Sequence, residues 1–150
     1  MIAYPDTSFL CALFRSQDNS AQAIAFRASM GEPLHATSLL EFEFLQSVQL
    51  QVFLHTTDRT KGYGQAEAGR MVAKWKAGIA TGDVKLVRYD VEAVHLYARS
   101  LSVQYTATGG HRTLDVLHVA AAVHLGAKRF LTFDVRQRKL AKAVGLKTSP

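Results

Sequence analysis

Short apolar runs of β character alternate with helix-period stretches from one end of this chain to the other, which leaves few folds open. The β-type runs are Ile2-Ala3-Tyr4-Pro5, Pro33-Leu34-His35-Ala36, Val84-Lys85-Leu86-Val87-Arg88 and Arg129-Phe130-Leu131-Thr132. Between them lie segments with apolar residues at helical spacing. The third of these carries Leu39, Leu40, Phe42, Leu45, Val48, Leu50 and Val52. Strands that alternate with helices need crossover connections, and such connections build a parallel sheet covered on both faces. The expected fold class is therefore α/β: three layers, α/β/α, around a central, mostly parallel sheet.

Helix boundaries follow from capping chemistry. Thr7 or Ser8 can cap a helix reaching about Arg15, and a second starts near Asn19-Ser20 and stops at Gly31. Thr37 or Ser38 caps the third. The polar stretch His55 to Gly64 joins it to a further helix from about Gln65 to Ala80, so residues 39–80 form a helical hairpin, an excursion from the alternating plan. Asp90 caps a helix from Val91 to about Tyr105, and Thr106 to Gly110 reads as a flexible loop. Thr113 caps a helix from Leu114 to about Leu125, which Gly126 ends, and Val135 to Val144 forms the last. Pro5 is the oddity, because proline cannot donate to a sheet ladder. No linker or repeat divides the 150 residues, so one domain over 1–150 is expected.

Four acids stand where these elements meet: Asp6, Glu43, Asp115 and Asp134. Each has apolar neighbours, and an unpaired carboxylate is costly to hold charged in such surroundings. Any one has an ordinary explanation. Asp6 and Asp134 can be N-caps, and Asp115 in a first turn gains about 0.3–1 kcal/mol from the helix dipole. Together they sit on segments that converge at the carboxyl ends of parallel strands, where α/β proteins place their sites. Carboxylates without Cys or His select hard divalent cations, which serve phosphate chemistry. Glu41 competes with Glu43 for the fourth place. Two residues apart on a helix, they point about 200° from each other, and Glu43 is the inward one, leaving Glu41 solvated or at the rim.

Charge points the same way. The chain carries 18 Lys plus Arg against 12 Asp plus Glu, a net +6, and setting the four acids aside leaves 18 against 8. A surface that basic attracts polyanions, nucleic acid above all. The C-terminal segment concentrates this bias in Lys128, Arg129, Arg136, Arg138, Lys139, Lys142 and Lys147. His111 and Arg112, beside Gly109-Gly110 and just before Asp115, either touch a phosphate or belong to a solvated loop. His118 is read as a satisfied core histidine rather than a ligand, as are His95 and His124. Tyr63 and Trp75 are core or subunit contacts. Cys11, the single cysteine, excludes an intrachain disulfide. No apolar run approaches membrane length, and a cytoplasmic location is expected.

The order Asp6-Thr7-Ser8, an acid early in the third helix, Leu114-Asp115-Val116-Leu117-His118-Val119-Ala120-Ala121-Ala122 and Leu131-Thr132-Phe133-Asp134 resembles the PIN-domain nucleases. Within them it is most similar to the VapC-type toxins of bacterial toxin–antitoxin pairs. The likeness implies an endoribonuclease using Mg²⁺ or Mn²⁺, one or two ions, on RNA such as tRNA or rRNA. It implies a homodimer held inactive by a cognate antitoxin. It assigns Asp6, Glu43, Asp115 and Asp134 as the acidic quartet and Ser8 as a hydroxyl beside it. Ser8 or Thr132 would hydrogen-bond a carboxylate from behind, and Arg136 and Arg138 join His111 and Arg112 as RNA contacts. A silent RNA-binding derivative and a DNA or flap-type nuclease are the competing readings. A haloacid dehalogenase-type phosphatase would need a second Asp where Ser8 stands, and phosphate-loop and dinucleotide signatures are absent.

Overall fold

A computed structural model describes residues 1–150. Five strands form one parallel sheet: β1 (Ala3–Pro5), β2 (Leu34–Ala36), β3 (Val84–Leu86), β4 (Arg129–Leu131) and β5 (Lys147–Ser149), in the order β3-β2-β1-β4-β5. The helices are α1 (Thr7–Phe14), α2 (Ser20–Ser29), α3 (Ser38–Thr57), α4 (Gln65–Thr81), α5 (Val91–Leu101), a short α6 (Ala107–Gly109), α7 (Thr113–His124) and α8 (Val135–Ala143). They pack as two groups, α1 to α4 and α5 to α8, so the expected α/β architecture with a parallel sheet flanked by helices is what the chain adopts.

The central strands are apolar because both faces are covered. Ala3, Tyr4, Leu34, Ala36, Phe130 and Leu131 are all buried. The run Val119-Ala120-Ala121-Ala122 is wholly buried as well, its small side chains letting α7 lie close in the core. In the helical hairpin, Trp75 packs on Phe44 at 5.4 Å between ring centroids and edge-on to Phe14. The turn between α3 and α4 needs Gly62. Its φ is +58°, and a Cβ there would meet the Gln51 carbonyl oxygen at 2.0 Å.

Pro5 costs nothing. Asp6 N–H donates to the Leu131 carbonyl at 2.9 Å, so strand alternation turns the Pro5 nitrogen toward β2, where pairing is confined to Ala3 opposite Leu34.

Several expected boundaries are corrected. α1 is capped by Asp6, whose carboxylate accepts from Phe9 N–H, and not by Thr7 or Ser8. α7 starts at Thr113 itself, with Arg112 in the cap position and no side-chain cap. Residues 106–110 are not a loop: α5 runs on through a π-helical turn, Ser102–Thr106, and α6, stopping at Gly110 with φ +66°. Nothing in Val103-Gln104-Tyr105 breaks a helix, and Tyr105 still packs against the core. β5 was unexpected, because a short edge strand with an exposed lysine lacks the apolar alternation that marks a strand. His95 and His124 are exposed, not core.

Candidate metal and nucleic-acid site

The carboxyl ends of β1 and β4 lie side by side, because Pro5 pairs with Leu131. β1 is followed at once, and β4 after Thr132 and Phe133, by an acid that caps the next helix. Asp6 is completely buried. Its Oδ1 accepts from Ser8 Oγ at 2.6 Å and from Phe9 N–H at 2.9 Å, and its Oδ2 accepts from Thr132 Oγ1. Burial nonetheless pushes its carboxyl up to about 6 against these hydrogen bonds. The protein thus holds here an acid whose negative charge it does not fully compensate. Asp134, half-buried, caps α8 by accepting from Arg136 and Gln137 N–H at 2.8 and 2.9 Å. Its own N–H donates to Thr132 Oγ1 at 2.9 Å. Thr132 therefore joins the two acids: one hydroxyl gives to Asp6 and takes from Asp134. Ser8 Oγ in turn accepts from Phe133 N–H at 2.9 Å, a second tie across the same gap.

Asp115 enters from the first turn of α7. It is buried, with Gln137 Nε2 donating to Oδ1 at 3.0 Å and Arg112 Nε to Oδ2 at 3.2 Å. The guanidinium of Arg112 is held above its ordinary value chiefly by Asp115, with Asp134 and Glu43 adding to the same field. Three of the four acids thus act on one exposed arginine.

Glu43 comes from α3. Burial alone would raise its carboxyl, but hydrogen bonding and charge from His118 outweigh burial and leave it below the ordinary carboxylate range. His118 Nε2 meets Glu43 Oε2, and behind it Nδ1 meets Tyr4 Oη at 3.0 Å. Tyr4 Oη also meets Thr37 Oγ1 at 3.0 Å. Glu41 is half-buried: its Oε2 accepts from Trp75 Nε1 at 2.8 Å, which ties α3 to α4.

The sequence did not single out Gln137, Tyr4 or Thr37 for the site. Gln137 stands three residues after Asp134, in the first turn of α8, and its Oε1 is buried without a partner. That spacing was the available signal. Arg138, expected to contact RNA, instead donates through Nη2 to the carbonyls of Thr132 at 2.7 Å and Pro150 at 2.6 Å. His111 is folded back: its ring lies against Gly109 and lines a cleft with Arg99, Ser102 and Thr106. Arg112, Arg136, Lys139 and Lys142 remain exposed. A separate cleft of about 570 Å³ between α1, α2 and α4 contains none of the four acids.

As the side chains stand, no three of the His, Cys, Asp and Glu groups converge closely enough to hold a metal ion. Asp115 is turned to Arg112 and Gln137, and Glu43 to His118. The donor chemistry still fits a hard divalent cation: every acid is a carboxylate, Asp6 is buried and undercompensated, and Gln137 Oε1 is a vacant acceptor beside Asp115.

The PIN domain family matches residues 3–143. The chain belongs to the PIN domain family. Among solved structures it is similar to the VapC20 toxin of Mycobacterium tuberculosis, described as cleaving the sarcin-ricin loop (17% identity, 99% of each chain, TM-score 0.66). It is also similar to FitAcB from Neisseria gonorrhoeae (17% identity, 99% and 97% covered, TM-score 0.64). A third is VapBC2 from Rickettsia felis, bound to promoter DNA (11% identity, 99% and 98% covered, TM-score 0.67). At these identities the likeness is one of fold. No curated protein matches the chain. No helix of this PIN domain is long and apolar enough to cross a membrane.

Proposed function

We propose that this PIN domain is a metal-dependent endoribonuclease acting as the toxin of a type II toxin–antitoxin pair. The observation that supports the reading is the run of hydrogen bonds that links Asp6, Asp134 and Asp115 through Thr132 and Gln137, with Glu43 near enough to share the field at Arg112. Asp6, Asp115 and Asp134 would hold Mg²⁺ or Mn²⁺, with Glu43 at the edge. Such an ion supplies Lewis acidity toward a phosphodiester and lowers the pKa of bound water.

The chain's own groups do the rest. Glu43 keeps one carboxylate oxygen on His118 and presents the other to orient the attacking water. Arg112, exposed and already drawn to the acids, pairs with the scissile phosphate and leaves Asp115 as it does so. Arg136, Lys139 and Lys142 on α8 extend a basic track for the RNA backbone. Structured RNA, a cognate antitoxin, a homodimer, a single domain over 1–150 and a cytoplasmic site of action complete the proposal. Relatives of this fold crystallised as FitAB and VapBC complexes support the antitoxin.

The open arrangement of the acids favours one rival, a silent RNA-binding module. Incubating purified, antitoxin-free protein with total cellular RNA and Mg²⁺ or Mn²⁺, with EDTA and Asp115→Asn controls, decides between them. Discrete metal-dependent fragments absent from both controls support the nuclease. Retarded but intact RNA supports the binding module.

A further inference from the structure

His118 is the one buried histidine, and the proposed chemistry gives it no direct part. It is completely buried, as are Tyr4 and Thr37. These three and Glu43 form a single file from the core to the site: Thr37 Oγ1, Tyr4 Oη, His118 Nδ1, His118 Nε2, Glu43 Oε2. Thr37 Oγ1 accepts from Leu40 N–H at 3.2 Å and meets Tyr4 Oη. With Tyr4 at Nδ1, the imidazole donates from Nε2 to Glu43 both as the neutral Nε2–H tautomer and as the charged ring. The anchor is rigid, since Thr37 caps α3 and Tyr4 lies in the central strand, stacked on Phe130 at 5.9 Å.

The end of the file is a carboxylate with one oxygen committed. Glu43 Oε2 is taken, while its side chain is 21% exposed. Thr7 Oγ1 stands beside it and helps hold the carboxyl down without a hydrogen bond of full geometry, so His118 is its one firm tie. A glutamate held this way can offer a cation a single oxygen and cannot swing both oxygens onto it. Carboxylates that bind through both oxygens suit Ca²⁺, with its 6–8 ligands, whereas Mg²⁺ takes six in near-ideal geometry and keeps several waters.

We infer that His118, backed by Tyr4 and Thr37, is a positioning residue that restricts Glu43 to one available oxygen and thereby biases the site toward Mg²⁺ and Mn²⁺ over Ca²⁺. The inference rests on the proposed metal site. A His that orients a carboxylate from behind commonly changes metal affinity by roughly 10–100-fold when removed.

Titration calorimetry of the EDTA-stripped, dialysed full chain with Mg²⁺, Mn²⁺ and Ca²⁺ tests it. His118→Leu is expected to lower the Mg²⁺:Ca²⁺ affinity ratio about tenfold. His118→Gln, whose amide N–H reaches Glu43 in the same direction, should restore most of the ratio. Because His118→Leu strands the Tyr4 hydroxyl, Tyr4→Phe/His118→Leu is measured too. It should recover thermal stability without recovering the ratio, which separates positioning from packing. An unchanged ratio in His118→Leu, or a ratio that returns with stability in the double variant, overturns the inference and leaves the metal site standing. No cation binding by the unmodified chain overturns both.

Discussion

The two halves of the site are built by different means. At the strand ends, Asp6 and Asp134 are held by groups close to them in the fold's frame: backbone N–H groups of the helices they cap, and the hydroxyls of Ser8 and Thr132. On the helix faces, Asp115 and Glu43 are held by side chains alone, Gln137 and Arg112 for one and His118 for the other. The first half is fixed by backbone that cannot move without unfolding a helix end. The second is fixed by rotamers, which can exchange one partner for another. Under the proposed function, a cation site that admits a substrate phosphate gains from having both: a rigid floor and a side wall that can let go.

The largest break in this comparison is Asp115→Asn. It should reduce cleavage of total RNA to the EDTA background while circular dichroism and the melting temperature stay near those of the unmodified chain, because Asn Oδ1 can still accept from Arg112 while its Nδ2 donates to the free Oε1 of a turned Gln137 amide. Next comes the cost of the rigid floor. Asp6 holds its proton to about pH 6 when folded and to its ordinary 3.8 when unfolded. The folded state therefore binds more protons between these values, and stability falls as pH rises from about 4 to 6, then levels. The loss is roughly 2–3 kcal/mol for a shift of about two pKa units. Denaturant titrations of the EDTA-treated chain at pH 4 and pH 7 should show it, and saturating Mn²⁺ at pH 7 should offset it. A flat profile would mean that Asp6 is better solvated than its burial indicates.

Thr132→Val sharpens the contrast further. It removes the hydroxyl shared by Asp6 and Asp134, and about 2 kcal/mol of stability should go with it, against a smaller loss for Ser8→Ala. The smallest effect belongs to Glu41→Ala. Losing the acceptor for Trp75 Nε1 should cost about 1 kcal/mol and leave RNA cleavage unchanged, where Glu43→Ala removes it. Equal activity loss in both would erase the distinction between the two glutamates.

The same contrast separates what the sequence disclosed from what it hid. Asp6 and Asp134 were legible because each follows an apolar strand and precedes a helix, a purely local arrangement. Four of the strands, the helical hairpin and the caps at Thr37 and Asp90 were legible for the same reason. Glu43 was separable from Glu41 by helical rotation alone. What stayed hidden depends on partners distant in the chain. Residue type cannot reveal that His118 sits between Tyr4 and Glu43, or that Arg138 reaches back to the Thr132 carbonyl instead of out to solvent. The reading of His118 as a satisfied core histidine was correct about its burial and silent about which acid satisfies it. β5 escaped because its pairing, and not its composition, makes it a strand.

The strand order also sets a timetable. β1 lies at the centre of the sheet, yet its neighbour β4 is made more than a hundred residues later. Until Thr132 and Asp134 have been synthesised and laid beside it, Asp6 has neither its hydroxyl donor nor its companion acid, and Asp115 has no Gln137. A growing polypeptide therefore has an incomplete set of acids until Asp134 has been added. Under the proposed function, a nascent chain cannot cleave RNA before Asp134 is in place.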